Sequence, residues 1–244
     1  MNSNIRLILD PPRSATLNMA IDEYLMESQA DLESLPTLRI YSWEEPACSI
    51  GYFQGVNDVA RRLDSLYQKM IVVKRITGGG LVMHGEDLTF SLALKDPGPF
   101  LPKDAKSSYL KVNEALLAGL REIFPTLDFV DCKSLPFGRG QNARICFESP
   151  SCYDLQLEGK KVAGASQRRK KGVLLHQSAI FLESSKENLI HSILKGFEKK
   201  WQVDFEEIPL SDQELALATE LESTRYSSPA WAYPERSRRA YSST

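Results

Sequence analysis

The stretch Tyr153-Asp154-Leu155-Gln156-Leu157-Glu158-Gly159-Lys160-Lys161-Val162-Ala163-Gly164-Ala165-Ser166-Gln167 alternates apolar and polar residues up to a Glu158-Gly159-Lys160 turn and then starts again. A period of two broken by turn chemistry is the pattern of a β-hairpin. Val162–Gln167 and Val173–Leu182 read as its continuing strands, so the middle of the chain is a hairpin-rich sheet. Upstream, Leu88, Phe90, Leu92 and Leu94 alternate across 87–94, which predicts a half-buried strand. The runs Thr37–Trp43 and Cys48–Phe53 flank Glu44-Glu45-Pro46 and suggest a pair of strands; 71–75 adds another, and 4–9 reads as an edge strand. Helical spacing appears at Leu17, Ala20, Ile21, Tyr24 and Leu25 behind a Ser14 cap, and over 107–124 up to Pro125. A polar helical stretch is expected near 56–69. Ser184 with Glu187 and Ser211 with Glu214 have capping-box spacing and open helices at 185–199 and 212–223. So many hairpins exclude a regular βαβ array and predict an α+β single domain over 1–223. From Thr224 the chain turns to Ser, Arg, Tyr and Pro without periodicity, and 224–244 is expected to be a loose tail.

Composition narrows the classes. With 244 residues, 42% hydrophobic and 25% charged, the chain can bury an ordinary core. A balance of 30 Lys+Arg against 32 Asp+Glu leaves a net charge of −2, with no electrostatic footprint for nucleic acid. No signal peptide or membrane-spanning run is visible, so a cytoplasmic location is expected. The cysteines Cys48, Cys132, Cys146 and Cys152 are scattered without a C-x-x-C pair, and with three histidines a zinc site is not expected. In a reducing compartment they read as unpaired.

Three segments can carry chemistry. In Arg75-Ile76-Thr77-Gly78-Gly79-Gly80-Leu81-Val82-Met83-His84, three glycines follow a strand. Their backbone can approach a carbonyl, carboxylate or phosphate closely; the plainer reading is a hairpin turn, with His84 as a structural hydrogen-bonder. The segment lacks the features of a P-loop or a dinucleotide fingerprint. In the second, Cys146 precedes the hairpin carrying Lys161 and the small residues Ala163-Gly164-Ala165-Ser166, against which an acyl chain or backbone could lie. A nearby ammonium would raise the thiolate fraction of Cys146; the alternative makes Lys161 a solvated turn residue. The third is the basic run Arg168-Arg169-Lys170-Lys171, either a solvated face or a landing patch for an acidic partner.

Taken together, Leu17 through Glu23, Ser49-Ile50-Gly51-Tyr52-Phe53-Gln54, Arg75 through His84, Cys146-Phe147 with Pro150-Ser151 and Tyr153, Gly159 through Gln167, and Leu174-Leu175-His176-Gln177 resemble the biotin/lipoate protein ligase catalytic family. Within it they are most similar to the cysteine-containing, LipM-type octanoyltransferase branch. The resemblance implies a fold like that of class II aminoacyl-tRNA synthetases and biotin synthetases, a mixed sheet flanked by helices. It also implies transfer of an octanoyl group from acyl carrier protein, through a Cys146 thioester, to a lysine of a lipoyl domain or of the glycine cleavage H protein. Arg75, Gly78, Gly79, Gly80 and His84 would line the acyl and carbonyl end of the pocket, beside Ala163 and Gly164. Lys161 would contact the acyl carbonyl.

No cofactor is expected on this reading. An ATP-dependent lipoate–protein ligase, using ATP and Mg, is the alternative; against it stand Cys146 and the roughly 60 residues after Leu182, few for an accessory domain. Ser178-Ala179 stands where relatives usually carry Gly-Ser, and the tail from Tyr226 matches nothing in the family pattern. The first departure motivates a third reading, a non-catalytic acyl- or carrier-binding module.

Overall fold

The computed structural model describes residues 3–55, 70–133, 150–228 and 231. The helical stretch expected near 56–69 and Cys146, the expected nucleophile, lie outside the described residues. Among the described residues, eleven strands form two sheets: β1 Ser3–Leu9, β2 Thr37–Tyr41, β3 Ala47–Ile50, β4 Ile71–Lys74, β5 Val82–His84, β6 Leu88–Lys95, β7 Asp128–Phe129, β8 Leu155–Leu157, β9 Lys160–Lys170, β10 Val173–Ile180 and β11 Val203–Glu207. The helices are α1 Ala15–Ser28, α2 Ala105–Leu120, α3 Lys186–Trp201 and α4 Asp212–Leu221. The larger sheet has eight strands ordered β11-β1-β2-β6-β10-β9-β8-β7, and the smaller runs β4-β3-β5. β1 lies parallel to both β11 and β2, and the pairings from β2 to β7 are antiparallel. This is the α+β class that the hairpins implied, with the mixed sheet flanked by helices that the resemblance implied.

One face of the large sheet carries Leu38, Ile40, Phe90, Leu92 and Leu94 against Val112, Leu116 and Phe197 of α2 and α3. The opposite face meets α1. β6 is therefore covered on both sides and almost wholly buried, rather than half-buried: its alternate positions Ser91 and Ala93 pack under α1, where Ser91 donates to Asp22 at 2.7 Å. Local alternation cannot reveal that both faces are covered. β1 is likewise interior and not an edge strand, because β11, between two helices, supplies the edge. The strands flanking Glu44-Glu45-Pro46 enter different sheets.

Caps set the helix starts. Ser14 accepts from Leu17 N, and Ser211 with Glu214 closes a full capping box. At α3 the cap is Ser185, accepting from Asn188 N, one residue later than the Ser184–Glu187 spacing suggested. At the C-terminal end α4 runs into a π-type turn, Glu222–Tyr226. Thr224 through Tyr226 are thus folded rather than loose: Tyr226 is buried and donates to Glu23 at 2.7 Å, and Trp231 donates to the Lys74 carbonyl at 2.8 Å. Both residues act through tertiary contacts with no sequence period.

Candidate functional site

Strand β3 and the glycine segment meet α1 and the β9–β10 hairpin around a narrow slot. Its apolar lining comes from Met19, Tyr41, Trp43, Val82, Ala165 and Ala179, and its polar lining includes Ser49, Arg75, His84 and Gln177. Gly164 and Ser166 complete the wall from β9.

Arg75 staples the glycine segment to β3. Its guanidinium donates to the carbonyls of Gly78 and Gly80, both at 2.7 Å, and to the Ser49 carbonyl and hydroxyl at 3.0 and 3.1 Å. Gly79 has φ +89°, a conformation that side-chain-bearing residues rarely adopt. Gly51 faces it so closely that a β-carbon at 51 would sit 2.1 Å from the Gly79 carbonyl oxygen. The segment is held rigidly, then, and the plainer reading of a free hairpin turn does not describe it. A polar chain fastens it to the sheet beneath. Ser166 Oγ donates to Thr77 Oγ1 at 2.9 Å, Thr77 Oγ1 to Gln177 Oε1 at 2.6 Å, and Gln177 Nε2 to Asp22 Oδ2 at 2.7 Å. Asp22 also accepts from Tyr41 and from the fully buried Arg39, at 2.8 Å each. Asn18 Oδ1 accepts from the same guanidinium at 2.6 Å; a buried charge such as Arg39 persists only when satisfied in this way, which explains the Asn18 and Asp22 positions of α1.

His84 uses both ring nitrogens. Nδ1 lies 2.8 Å from Asp87 Oδ2 and Nε2 lies 2.8 Å from Ser49 Oγ. Trp43 stacks on the ring with centroids 3.8 Å apart, and its indole N–H donates to Thr89, which itself donates to Asp87. Burial alone would raise the Asp87 carboxyl, but His84 and the donors Thr89 and Gly85 outweigh it, so its pKa is lowered. Since the carboxylate accepts from Nδ1–H, Nε2 is left to accept from the Ser49 hydroxyl. Asp87, His84 and Ser49 therefore have the connectivity of a proton relay.

Lys161 is no solvated turn residue. Its ammonium is buried and forms an ion pair with Asp154 at 2.7 Å. Asp154 in turn accepts from Tyr109 and, at 2.7 Å, from the Ser151 amide. Burial first, and then the Asp154 charge, push the Tyr109 phenol well above its ordinary value, so it stays a neutral donor. A register shift between Leu155 and Gln156 puts both Val162 and Ala163 into the main core. The shift leaves Lys161 over Gly164, where an added β-carbon would meet its Cε at 2.4 Å and Nζ at 2.6 Å. What lies against the small residue at 164 is thus the lysine's own stem.

The structure brings Arg75, His84 and Gly164 to the slot wall, with Lys161 over Gly164 and Gly78–Gly80 behind Arg75. Four expectations are corrected: Ala163 packs in the main core, Gly78, Gly79 and Gly80 are held behind the Arg75 guanidinium, and none of the four lines the slot. Sequence reasoning missed Trp43, Ser49, Asp87, Tyr109 and Asp154 as site residues. A signal was present for Asp87 and Asp154 alone, as acids in otherwise buried strand entries. Cys132 and Cys152 are neighbours, with Cα atoms 4.8 Å apart, because β7 pairs with β8 and Val130 donates to the Asp154 carbonyl at 2.8 Å. Cys48 is free and buried, its thiol pushed up to about 12 by burial. The basic run is largely engaged, with Arg168 on the Ile76 carbonyl at 3.1 Å, Arg169 on Asp96 at 2.7 Å and Lys170 on Glu27 at 3.3 Å.

Residues 14–212 match the lipoyl protein ligase A/B catalytic domain. Octanoyltransferase LipM of Brevibacillus brevis is 30% identical over 93% of this chain and 97% of its own. The chain belongs to this family, in its LipM branch. The Bacillus subtilis octanoyltransferase LipM is 27% identical over 90% of this chain and 94% of its own. Among solved structures, a lipoate protein ligase candidate from T. acidophilum superposes with a TM-score of 0.75 at 25% identity, covering 95% of this chain and 98% of that one. Lipoate-protein ligase A bound with ATP shares the fold at a TM-score of 0.73 and 24% identity, over 95% of this chain and 98% of that one. No helix among the described residues is long and apolar enough to cross a membrane.

Proposed function

We propose that this LipM-branch enzyme moves an octanoyl group from an acyl carrier protein, through a thioester on Cys146, to a lysine of a lipoyl carrier domain in the cytoplasm. The observation that carries the reading is Lys161, an ammonium buried against Asp154 and lying over Gly164 in the wall of an apolar slot. Attack of the Cys146 thiolate on the donor thioester exchanges one thioester for another, nearly isoenergetically, and releases the carrier thiol. The acceptor amine then displaces the cysteine, forming an amide. That step is downhill and needs no ATP. Lys161 stabilises the oxyanion of each tetrahedral intermediate. The Ser49–His84–Asp87 relay takes the proton that the amine must lose. The apolar slot wall accepts the chain: about seven methylene-sized units at ~0.8 kcal/mol each give roughly 5–6 kcal/mol, enough to prefer octanoyl over shorter groups.

The test is intact mass after incubation with octanoyl-loaded carrier protein, with and without ATP. One octanoyl adduct without ATP, lost in Cys146→Ala, is expected. Labelling that persists in Cys146→Ala, or that requires ATP, overturns the thioester route. ATP- and lipoate-dependent pyrophosphate release would establish the ligase alternative. Tight carrier binding with no acyl transfer would establish a non-catalytic module.

A further inference from the structure

Near the glycine segment, three cations gather around two aromatic rings. Lys74, at the end of β4, is only 6% exposed, and its ammonium lies 5.6 and 5.8 Å from the ring centroids of Tyr52 and Trp231. Arg168 lies over the same Tyr52 ring at 4.7 Å. Arg225 stands 5.2 Å from the Trp231 ring and pairs with Glu23. Lys74 and Arg168 have no acidic partner among the described residues. Burial lowers the Lys74 pKa, as expected for an ammonium without a counter-ion. Buried cations are normally paired, and cation–π contacts only partly replace a carboxylate. An anion is the chemistry that fits such a group of cations and ring faces.

The position of the group identifies that anion. Gly164, Ser166 and Arg168 share one face of β9, and the first two line the slot. At the rise of a strand, Arg168 is about 13 Å from Gly164. A pantetheine arm has about thirteen bonds between its sulfur and its phosphorus, roughly 16 Å at the reach of an extended chain. A thioester at Lys161 thus sets the arm's phosphate beside Arg168 and Lys74. We infer that Lys74 and Arg168, walled by Tyr52 and Trp231, bind the phosphate of the donor's phosphorylated thioester arm. This rests on the octanoyl-transfer reading above.

The test compares kcat/KM for enzyme acylation by octanoyl-pantetheine and by octanoyl-4′-phosphopantetheine. The unaltered chain is expected to prefer the phosphorylated donor by about 10- to 100-fold, the range of a hydrogen bond to a charged group. Lys74→Met and Arg168→Met should each reduce that ratio about tenfold, and Lys74→Arg should retain most of it. Octanoyl-free 4′-phosphopantetheine should compete better than pantetheine in the unaltered chain, which decides the matter even if a variant does not fold. Inhibition by inorganic phosphate as strong as by 4′-phosphopantetheine would point to a free-phosphate pocket and overturn the assignment. Equal use of both donors would also overturn it while leaving the transfer reading intact. Acylation by neither removes both.

Discussion

Replacing Gly164 by alanine isolates the role of Lys161 without touching a charged group. The backbone at 164 is not left-handed, so alanine meets no conformational penalty there. Its methyl would sit 2.4 Å from Lys161 Cε and 2.6 Å from Nζ, well inside contact distance. Those atoms are the far end of a four-carbon stem, which can swing aside while the strand stays in place. The ammonium then leaves its 2.7 Å pairing with Asp154, which keeps Tyr109 and the Ser151 amide. We expect a stability loss of about 1–3 kcal/mol, typical of overpacking and of a disturbed buried pair. Activity should fall much further, by about 10²–10³ in the acylation rate, the cost of removing one oxyanion donor. Stopped acylation reactions read by intact mass measure the rate, and urea unfolding measures stability. In a Lys161→Ala background, Gly164→Ala should add nearly nothing, since both remove the same interaction. A Gly164→Ala enzyme within threefold of the unaltered rate, alongside an inactive Lys161→Ala, would refute the placement of the ammonium.

Other consequences follow from the same contacts. His176 is fully buried and its pKa is lowered to about 3 by burial. The unfolded chain therefore takes up a proton that the native chain refuses, and stability present above about pH 6.5 is lost as the pH falls toward 3; near pH 5 the loss is about 2 kcal/mol. Urea midpoints at pH 7.5 and 5.0 should show this, and the His176→Gln difference should be smaller. Cys48, with its thiol near 12 and no exposure, should resist iodoacetamide at pH 7.5 in the native chain and react only after unfolding, as read by peptide mapping. Gly51→Ala forces a backbone clash with Gly79, so it should lower stability by about 1–3 kcal/mol, seen as a lower Tm, and reduce acylation by displacing the glycine segment.

Local pattern was enough for the hairpin at Glu158-Gly159, the helices behind Ser14 and Ser211, and the α+β class, because turn residues, caps and periodicity act over a few neighbours. The motifs single out Arg75, His84, Gly164 and Lys161, which the structure gathers around one slot, for a similar reason: each sits in a short segment whose residue types are unusual where they stand. Three things needed the tertiary structure. The burial of β6 on both faces depends on α1, which packs there from far away in the chain. The turning of Lys161 toward Gly164, and of Ala163 away from the slot, depends on a register shift set by pairing with β8. The partners Trp43, Ser49, Asp87 and Asp154, like the neighbouring Cys132 and Cys152 and the cations around Tyr52, are brought together by strand order. Sequence distance says nothing about that order, since side chains far apart along the chain meet only when burying the two faces of one sheet forces their elements together.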